Sequence, residues 1–358
     1  MTLPDVVVAG AGMVGAACAA ALQHEGMRVL LLGEPAGGAT AAGMGHVVAM
    51  DDSEAQFALT SYSARLWDAL DLPASVERER RGTLWVAADD EEMVTVRSKR
   101  AFYTARGVSA EVLDPQALAE AEPELRAGFA GALRVESDSI VYAPAAAAWL
   151  ARDVPHRAGA MAARVAPGRV TLDDGTELSC GAVLVAAGAA STALLPHLPI
   201  RPRKGHLAIT DRYPGLVRHQ LVELGYLKSA HGHAAESVAF NLQPRATGQL
   251  LIGSSRQYDR TDARIDSPIL AAMLRRAFHY VPRLAQLSVI RTWTGLRPAT
   301  PDSLPLIGRL EPGMWVAAGH EGLGITTSLG TAAIVADQMM GRATAIAAEP
   351  YSPHRAAA

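Results

Sequence analysis

Three glycines near the amino terminus, Gly10-x-Gly12-x-x-Gly15, are spaced to lay a backbone turn against a pyrophosphate. Gly10 permits the tight turn, Gly12 lets the backbone approach the phosphates, and Gly15 lets a following helix pack on the preceding strand. The helix N-terminus adds N–H donors and a partial positive charge. Such a motif asks for a ribose-binding acid roughly 20 residues on. Glu34 stands there, set back one place from the strand by Gly33. It reaches ribose hydroxyls if the strand end bulges; otherwise it is a solvated loop glutamate.

The elements that must position these residues are readable around them. Residues 5–9 are a short apolar run ended by glycine, as in a buried parallel strand. Residues 16–24 read as a helix of small residues and Val29–Leu32 as a second strand. Residues 37–45, Gly-Gly-Ala-Thr-Ala-Ala-Gly-Met-Gly, read as a loop that suits close backbone approach to an extended cofactor, or as a plain flexible linker. A nicotinamide domain would normally go on to another helix there. Residues 162–180 read as hairpin-like strands about Asp173-Asp174-Gly175, followed by a strand at 183–185 and then Ala187-Gly188. Near the carboxy terminus a strand at 314–318 runs into Gly319-His320-Glu321-Gly322-Leu323-Gly324-Ile325-Thr326, which opens a helix to about Met340. A glycine turn of that kind stabilises negative charge developing at flavin N1 and O2 on reduction.

Composition narrows the classes. A chain of 358 residues suggests two structural units or one elaborated α/β unit. With 33 basic and 36 acidic residues the net charge is −3, which argues against nucleic acid as the main partner. Two cysteines, Cys18 and Cys180, supply neither a four-thiolate metal site nor a disulfide framework, and read as buried apolar thiols. Lys99, Lys204 and Lys228 are the only lysines. The apolar amino-terminal stretch lacks a basic n-region and is broken by glycines, so no signal peptide or integral membrane segment is expected, and the location expected is cytoplasmic. Residues 350–358 read as a disordered end. His231-Gly232-His233 reads as a surface loop rather than a metal site. The charges at 78–81 and 89–92 read as solvated, the second group starting a helix near 91–106.

Taken with Gly295-Leu296-Arg297-Pro298, these segments closely resemble the D-amino-acid oxidase family of FAD-dependent amine oxidoreductases, the branch holding glycine oxidase, sarcosine oxidase and D-amino-acid dehydrogenases. Residues 43–53 and 319–329 resemble the catalytic β subunits of D-hydroxyproline dehydrogenases, which are similar to opine oxidases. The resemblance implies an α/β fold: a Rossmann-like, glutathione-reductase-like FAD-binding domain of residues 1–80, 141–200 and 296–358, and a sheet-rich α+β substrate domain of 81–140 and 201–295. It implies non-covalent FAD held by Gly10, Gly12, Met13, Val14, Gly15, Glu34, Thr40, Ala41, Gly43, Met44, Gly45, Val165, Ala187, Gly188, Gly322, Leu323, Gly324, Ile325 and Thr326.

The same resemblance implies oxidation of an amino or imino acid at its α-carbon, with hydride passing to flavin N5. Arg297 matches the family's carboxylate-binding arginine, the alternative being an arginine paired with a surface acid. Asn241 stands where glycine oxidase-like relatives carry a tyrosine, a departure that suggests recognition of a substrate hydroxyl. His46 contacts either the ring edge or substrate, or is structural. Glu321 would repel a carboxylate, yet it can accept from a cyclic secondary amine or a hydroxyl. His206 lies on a strand that returns to the substrate site. Some oxygen-using relatives place a lysine beside the flavin, and lysine is scarce here, so electrons are expected to pass to a partner subunit or carrier. The leading substrate is cis-4-hydroxy-D-proline. A stand-alone oxidase using oxygen and a flavin-binding assembly subunit without turnover are the other readings.

Overall fold

Val6–Ala9 is the apolar run read near the amino terminus, and it lies inside a six-stranded sheet. Along that sheet the order is Leu306–Glu311, Met314–Ala318, Ala182–Val185, Val6–Ala9, Val29–Leu32 and His156–Arg157. All neighbours are parallel except Leu306–Glu311, which pairs antiparallel at one edge. Parallel strands need crossover connections, so residues distant in sequence meet at one sheet end. The structure, a computed structural model, describes residues 3–34, 37–225 and 236–355. His231-Gly232-His233 and Lys228 lie outside the described residues.

The chain divides into two units, residues 1–76, 141–202 and 296–358, and residues 77–140 and 203–295. In the first, helices Met13–His24, Glu54–Asp68, Ala143–Leu150 and Ser328–Met339 contribute to one apolar cluster that includes Val8, Leu22, Trp67, Ala146 and Val335. Pro144 sits in the first turn of its helix, where a missing N–H costs nothing. A second cluster includes Val7 and Val316 with residues of the antiparallel strands Ala162–Ala166, Arg169–Leu172 and Glu177–Ser179. Both cysteines are buried and free, and burial pushes the Cys18 thiol up to about 12.

The second unit is built on an eight-stranded sheet in the order Val289–Ala299, Arg201–Arg212, Gln249–Tyr258, Glu236–Pro244, Gln220–Glu223, Thr83–Ala87, Gly131–Val135 and Glu111–Leu113. The end of its first strand, from Leu296, belongs to the first unit. One sheet face packs Leu84, Leu221, Leu242 and Ile252 with Met273, Ala277 and Tyr280 of the helix Ser267–Tyr280. The acids at 89–92 start the helix Asp90–Thr104, whose N-cap Asp89 accepts from Glu92 N. At residues 78–81 the charges are less solvated than expected: Arg78, Glu79 and Arg81 are half-buried, and Arg81 pairs with Glu79.

Two expectations need correction. Residues 37–45 are not all loop, because Gly38–Ala42 forms a short helix. Three alanines favour that turn, and Thr40, a weaker helix former, is held in it by its buried place. The carboxy-terminal residues are not a disordered end as far as they are described. Tyr351 is 1% exposed and donates to Ala55 O at 2.6 Å. Arg355 grips the Asp302 carboxylate through Nε and Nη2 at 2.7 and 2.8 Å, and donates to the carbonyls of Leu304 and Pro305. Such tertiary partners leave no local periodicity for a sequence reading to find. Among the described residues no helix is long and apolar enough to cross a membrane.

Burial, the largest single effect, would raise Asp302, but hydrogen bonds from Arg355, Leu304 N and Thr300 and the charge of Arg355 together outweigh it and hold the carboxyl below its ordinary value. A lowered carboxyl stabilises the fold above its unfolded value near 4 and loses that contribution as pH falls. Arg355→Ala is expected to cost about 1–3 kcal/mol at neutral pH, and less in denaturant melts run below about pH 4. Equal stability of variant and parent at pH 7 would contradict this anchoring of the tail.

Candidate active site

At the end of the Val6–Ala9 strand the backbone makes contacts that admit no side chain. Gly10 has φ +118°, and a Cβ there would lie 2.5 Å from the Ala186 carbonyl oxygen. A Cβ on Gly15 would fall 1.8 Å from the Gly10 carbonyl oxygen. The helix Met13–His24 can therefore start directly over the strand ends. Its N-cap, Gly12, supplies no side-chain cap. Met13 N donates to Thr40 Oγ1 at 2.9 Å, which brings the short helix at 38–42 onto the turn.

Around this turn the structure gathers several expected residues. Ala187 and Gly188 follow Ala186 in a short 3₁₀ turn, and Ala187 packs with Val165 against the second apolar cluster. Val14 lies 3.9 Å from where a Gly324 Cβ would stand. Gly43 lies close under Ile325, its Cβ position 3.0 Å from Ile325 Cδ1, while Met44 is half-buried and Ala41 exposed. Gly45 O accepts from Val141 N at 2.8 Å. Glu34 is exposed, and its displacement has a reason: Gly33 takes the strand-end position at φ +113°, with its Cβ position 3.2 Å from Ala11 N. Glu34 Oε1 lies 3.8 Å from where a Gly159 Cβ would stand.

The glycine segment after Met314–Ala318 is fastened from several sides. Thr326 Oγ1 donates to His46 O at 2.9 Å, and Val48 N approaches the same hydroxyl at 3.3 Å. Ser63 Oγ donates to Thr326 O at 2.5 Å, and Trp67 Nε1 to Ile325 O at 3.2 Å. Ser63 and Trp67 lie on the helix Glu54–Asp68 and escaped the sequence reading because they look like ordinary core positions. His320 also escaped it. Burial lowers His320 to about 3, so it stays neutral, with Nε2 3.0 Å from Thr331 Oγ1.

The same segment meets Arg297. Glu321 N donates to Pro298 O at 2.9 Å, and the Gly322 Cβ position is 3.8 Å from Arg297 Cδ and Nε. Glu321 has φ +51°, and its Oε2 accepts from Gly322 N at 2.7 Å, so its carboxylate shapes the turn. Arg297, Glu321 and Gly322 thus stand together, with Leu323 beside them, and His46 is tied to the same segment through its carbonyl. Asn241 belongs to the other unit, where it is buried on the strand Glu236–Pro244. His206 is structural: it is 0% exposed, its Nδ1 lies 3.0 Å from Ser255 Oγ, and its Nε2 accepts from Asp266 N at 2.9 Å.

A turn of three close-packed glycines, with glycine as the helix N-cap, fits a dinucleotide pyrophosphate. Comparison with known proteins agrees. The family model described as FAD dependent oxidoreductase matches residues 5–338. The crystal structure of glycine oxidase from Geobacillus kaustophilus superposes with a TM-score of 0.89 at 26% identity, over 99% of this chain and 100% of that one. D-amino acid dehydrogenase of Methylobacterium sp. is 30% identical across 78% of this chain and 68% of its own length. Hydrogen cyanide synthase subunit HcnC of Pseudomonas aeruginosa is 28% identical across 90% of this chain and 89% of its own length. The chain belongs to the DAO family of FAD-dependent oxidoreductases, and its cofactor is FAD. When bound, FAD supplies a two-electron acceptor.

Gly15→Val is expected to displace the helix start and leave purified protein with less than about a tenth of the parent's FAD, since overpacking here strikes backbone rather than a flexible side chain. The ratio of absorbance at the flavin band to that of protein measures it. A fully yellow variant would contradict the role given to this crossing.

Proposed function

We propose that this chain is an FAD-dependent dehydrogenase that oxidises the CH–N bond of a D-amino or D-imino acid, with cis-4-hydroxy-D-proline as the leading substrate. The observation that carries the reading is Arg297 standing against Gly322 and beside Glu321. A guanidinium fork matches a carboxylate bidentately. The substrate's nitrogen lone pair forms the C=N bond as the α C–H bond breaks, the hydride so released being what bound FAD would accept, and the N–H proton leaves to solvent. Orientation and electrostatics carry the rate, and no strong base is required. Glu321, steadied by Gly322 N, offers the amine an acceptor.

Two further observations favour dehydrogenase over oxidase. The two described lysines are committed elsewhere: Lys204 Nζ pairs with Asp262 at 2.9 Å, and Lys99 Nζ lies 4.8 Å from the centre of the Trp85 ring. Among relatives, one is named a D-amino acid dehydrogenase and another a synthase subunit. On this reading electrons leave through a partner subunit or carrier. A stand-alone amino-acid oxidase is the second reading, supported by the likeness to glycine oxidase.

Anaerobic mixing with a panel of D-amino and D-imino acids should bleach the flavin fastest with cis-4-hydroxy-D-proline, and reoxidation should be slow in air and fast with an artificial dye. Fast reoxidation in air would select the oxidase. Bleaching by glycine or sarcosine alone would overturn the substrate. Arg297→Ala should raise KM by about 100-fold or more, with Arg297→Lys between it and the parent. An unchanged KM would remove the anchor.

A further inference from the structure

In front of the helix Ser328–Met339 lies one turn that already winds as a helix does. Thr327 N donates to Leu323 O, four residues back, at 2.9 Å. Gly324, Ile325 and Thr326 therefore carry the first N–H groups of the winding, which a helix cannot satisfy by itself. Among the described residues none of these three N–H groups meets an acceptor. Exposed helix ends give such groups to water, but Thr326 is 0% exposed, and Gly324 and Ile325 are half-buried. Buried N–H groups without an acceptor are rare, and they point to a ligand that brings one. The turn lies within the first unit, against the dinucleotide motif: Val14 is 3.9 Å from the Gly324 Cβ position, and Ile325 Cδ1 is 3.0 Å from that of Gly43.

The carbonyls of the same peptide groups are doubly loaded. Leu323 O, at the other end of the peptide that carries Gly324 N, accepts from Thr327 N and also from Thr327 Oγ1 at 2.8 Å. Ile325 O, which shares its peptide with Thr326 N, accepts from Ser328 Oγ at 2.9 Å and Trp67 Nε1 at 3.2 Å. Trp67 comes from the helix Glu54–Asp68 and is 0% exposed. A donor on a peptide carbonyl polarises the N–H at the other end, because hydrogen bonds in a chain strengthen one another. Since the peptide is planar, it also fixes where that N–H points. Donors fixed in this way stabilise negative charge without having to reorganise as it develops.

We propose that Trp67 and Thr327 are positioning residues that hold the N–H groups of Thr326 and Gly324 ready for the pyrimidine edge of reduced flavin. The inference rests on the reading of residues 322–326 as flavin ligands, and it adds the two side chains that fix them. Ser63 supplies an internal contrast. It donates to Thr326 O, but the N–H of that peptide belongs to Thr327 and is already spent on Leu323 O.

The test loads the full chain with FAD carrying carbon-13 at C2, whose resonance moves downfield as hydrogen bonds to O2 strengthen. The midpoint potential is measured beside it by dye equilibration. In the parent the C2 resonance should lie downfield. Thr327→Val should move it upfield and weaken the preference for reduced over oxidised flavin by about threefold to tenfold. That corresponds to a midpoint lower by about 15–30 mV for a two-electron couple. Trp67→Phe should act in the same direction, and Thr327→Ser, which keeps the hydroxyl, should return both readouts to the parent's. Ser63→Ala should lower the melting temperature and leave both readouts in place. A Thr327→Val protein with the parent's resonance and potential would overturn the proposal, as would equal shifts in Ser63→Ala. A parent whose C2 resonance matches flavin in an apolar solvent would overturn it at its premise, by showing that residues 322–326 do not reach the flavin.

Discussion

The crossing of Gly10 with Gly15 and Ala186 is the constraint on which the first unit rests. Backbone touches backbone at two places where even a methyl group has no room. That contact sets the start of the Met13–His24 helix over the ends of the Val6–Ala9 and Ala182–Val185 strands. Gly33 then fits against the turn, and the acid that follows it moves one position outward. The seat of Thr40 on the first N–H of that helix depends on the same turn. The fit of this end to a dinucleotide is thus a matter of backbone proximity more than of side-chain chemistry.

A second fixed point is Thr326. Its hydroxyl ties the 46–48 segment to the glycine segment, and its carbonyl takes Ser63. Because Pro298 O holds Glu321 N, the arginine strand is fastened to the same segment a few residues earlier. The backbone next to Arg297 is consequently held to the glycine segment by a hydrogen bond. On the proposed function, where orientation carries the rate, that support is what Arg297 needs.

Much of this was legible in the sequence, and the parts that were not share a cause. The glycine motif, the strands at 29–32 and 314–318 and the helix cap at Asp89 follow from local spacing. The helix at 38–42 was hidden because its stability comes from Thr40 docking on Met13, a contact 27 residues away in sequence. Tyr351 and Arg355 were misread for the same reason, their partners being Ala55 and Asp302. Asn241 was noticed as a departure from a pattern.

Chemistry at an α-carbon, with the substrate's carboxylate anchored on Arg297, is the claim that joins these parts. It is tested most directly by stopped-flow bleaching of the flavin, anaerobically, with cis-4-hydroxy-D-proline carrying hydrogen or deuterium at the α-carbon. The account predicts that deuterium slows the bleaching severalfold and that the Arg297→Ala variant needs far higher substrate to show the same effect. Bleaching at equal rates with both isotopologues, or no bleaching by any D-amino or D-imino acid, would contradict it.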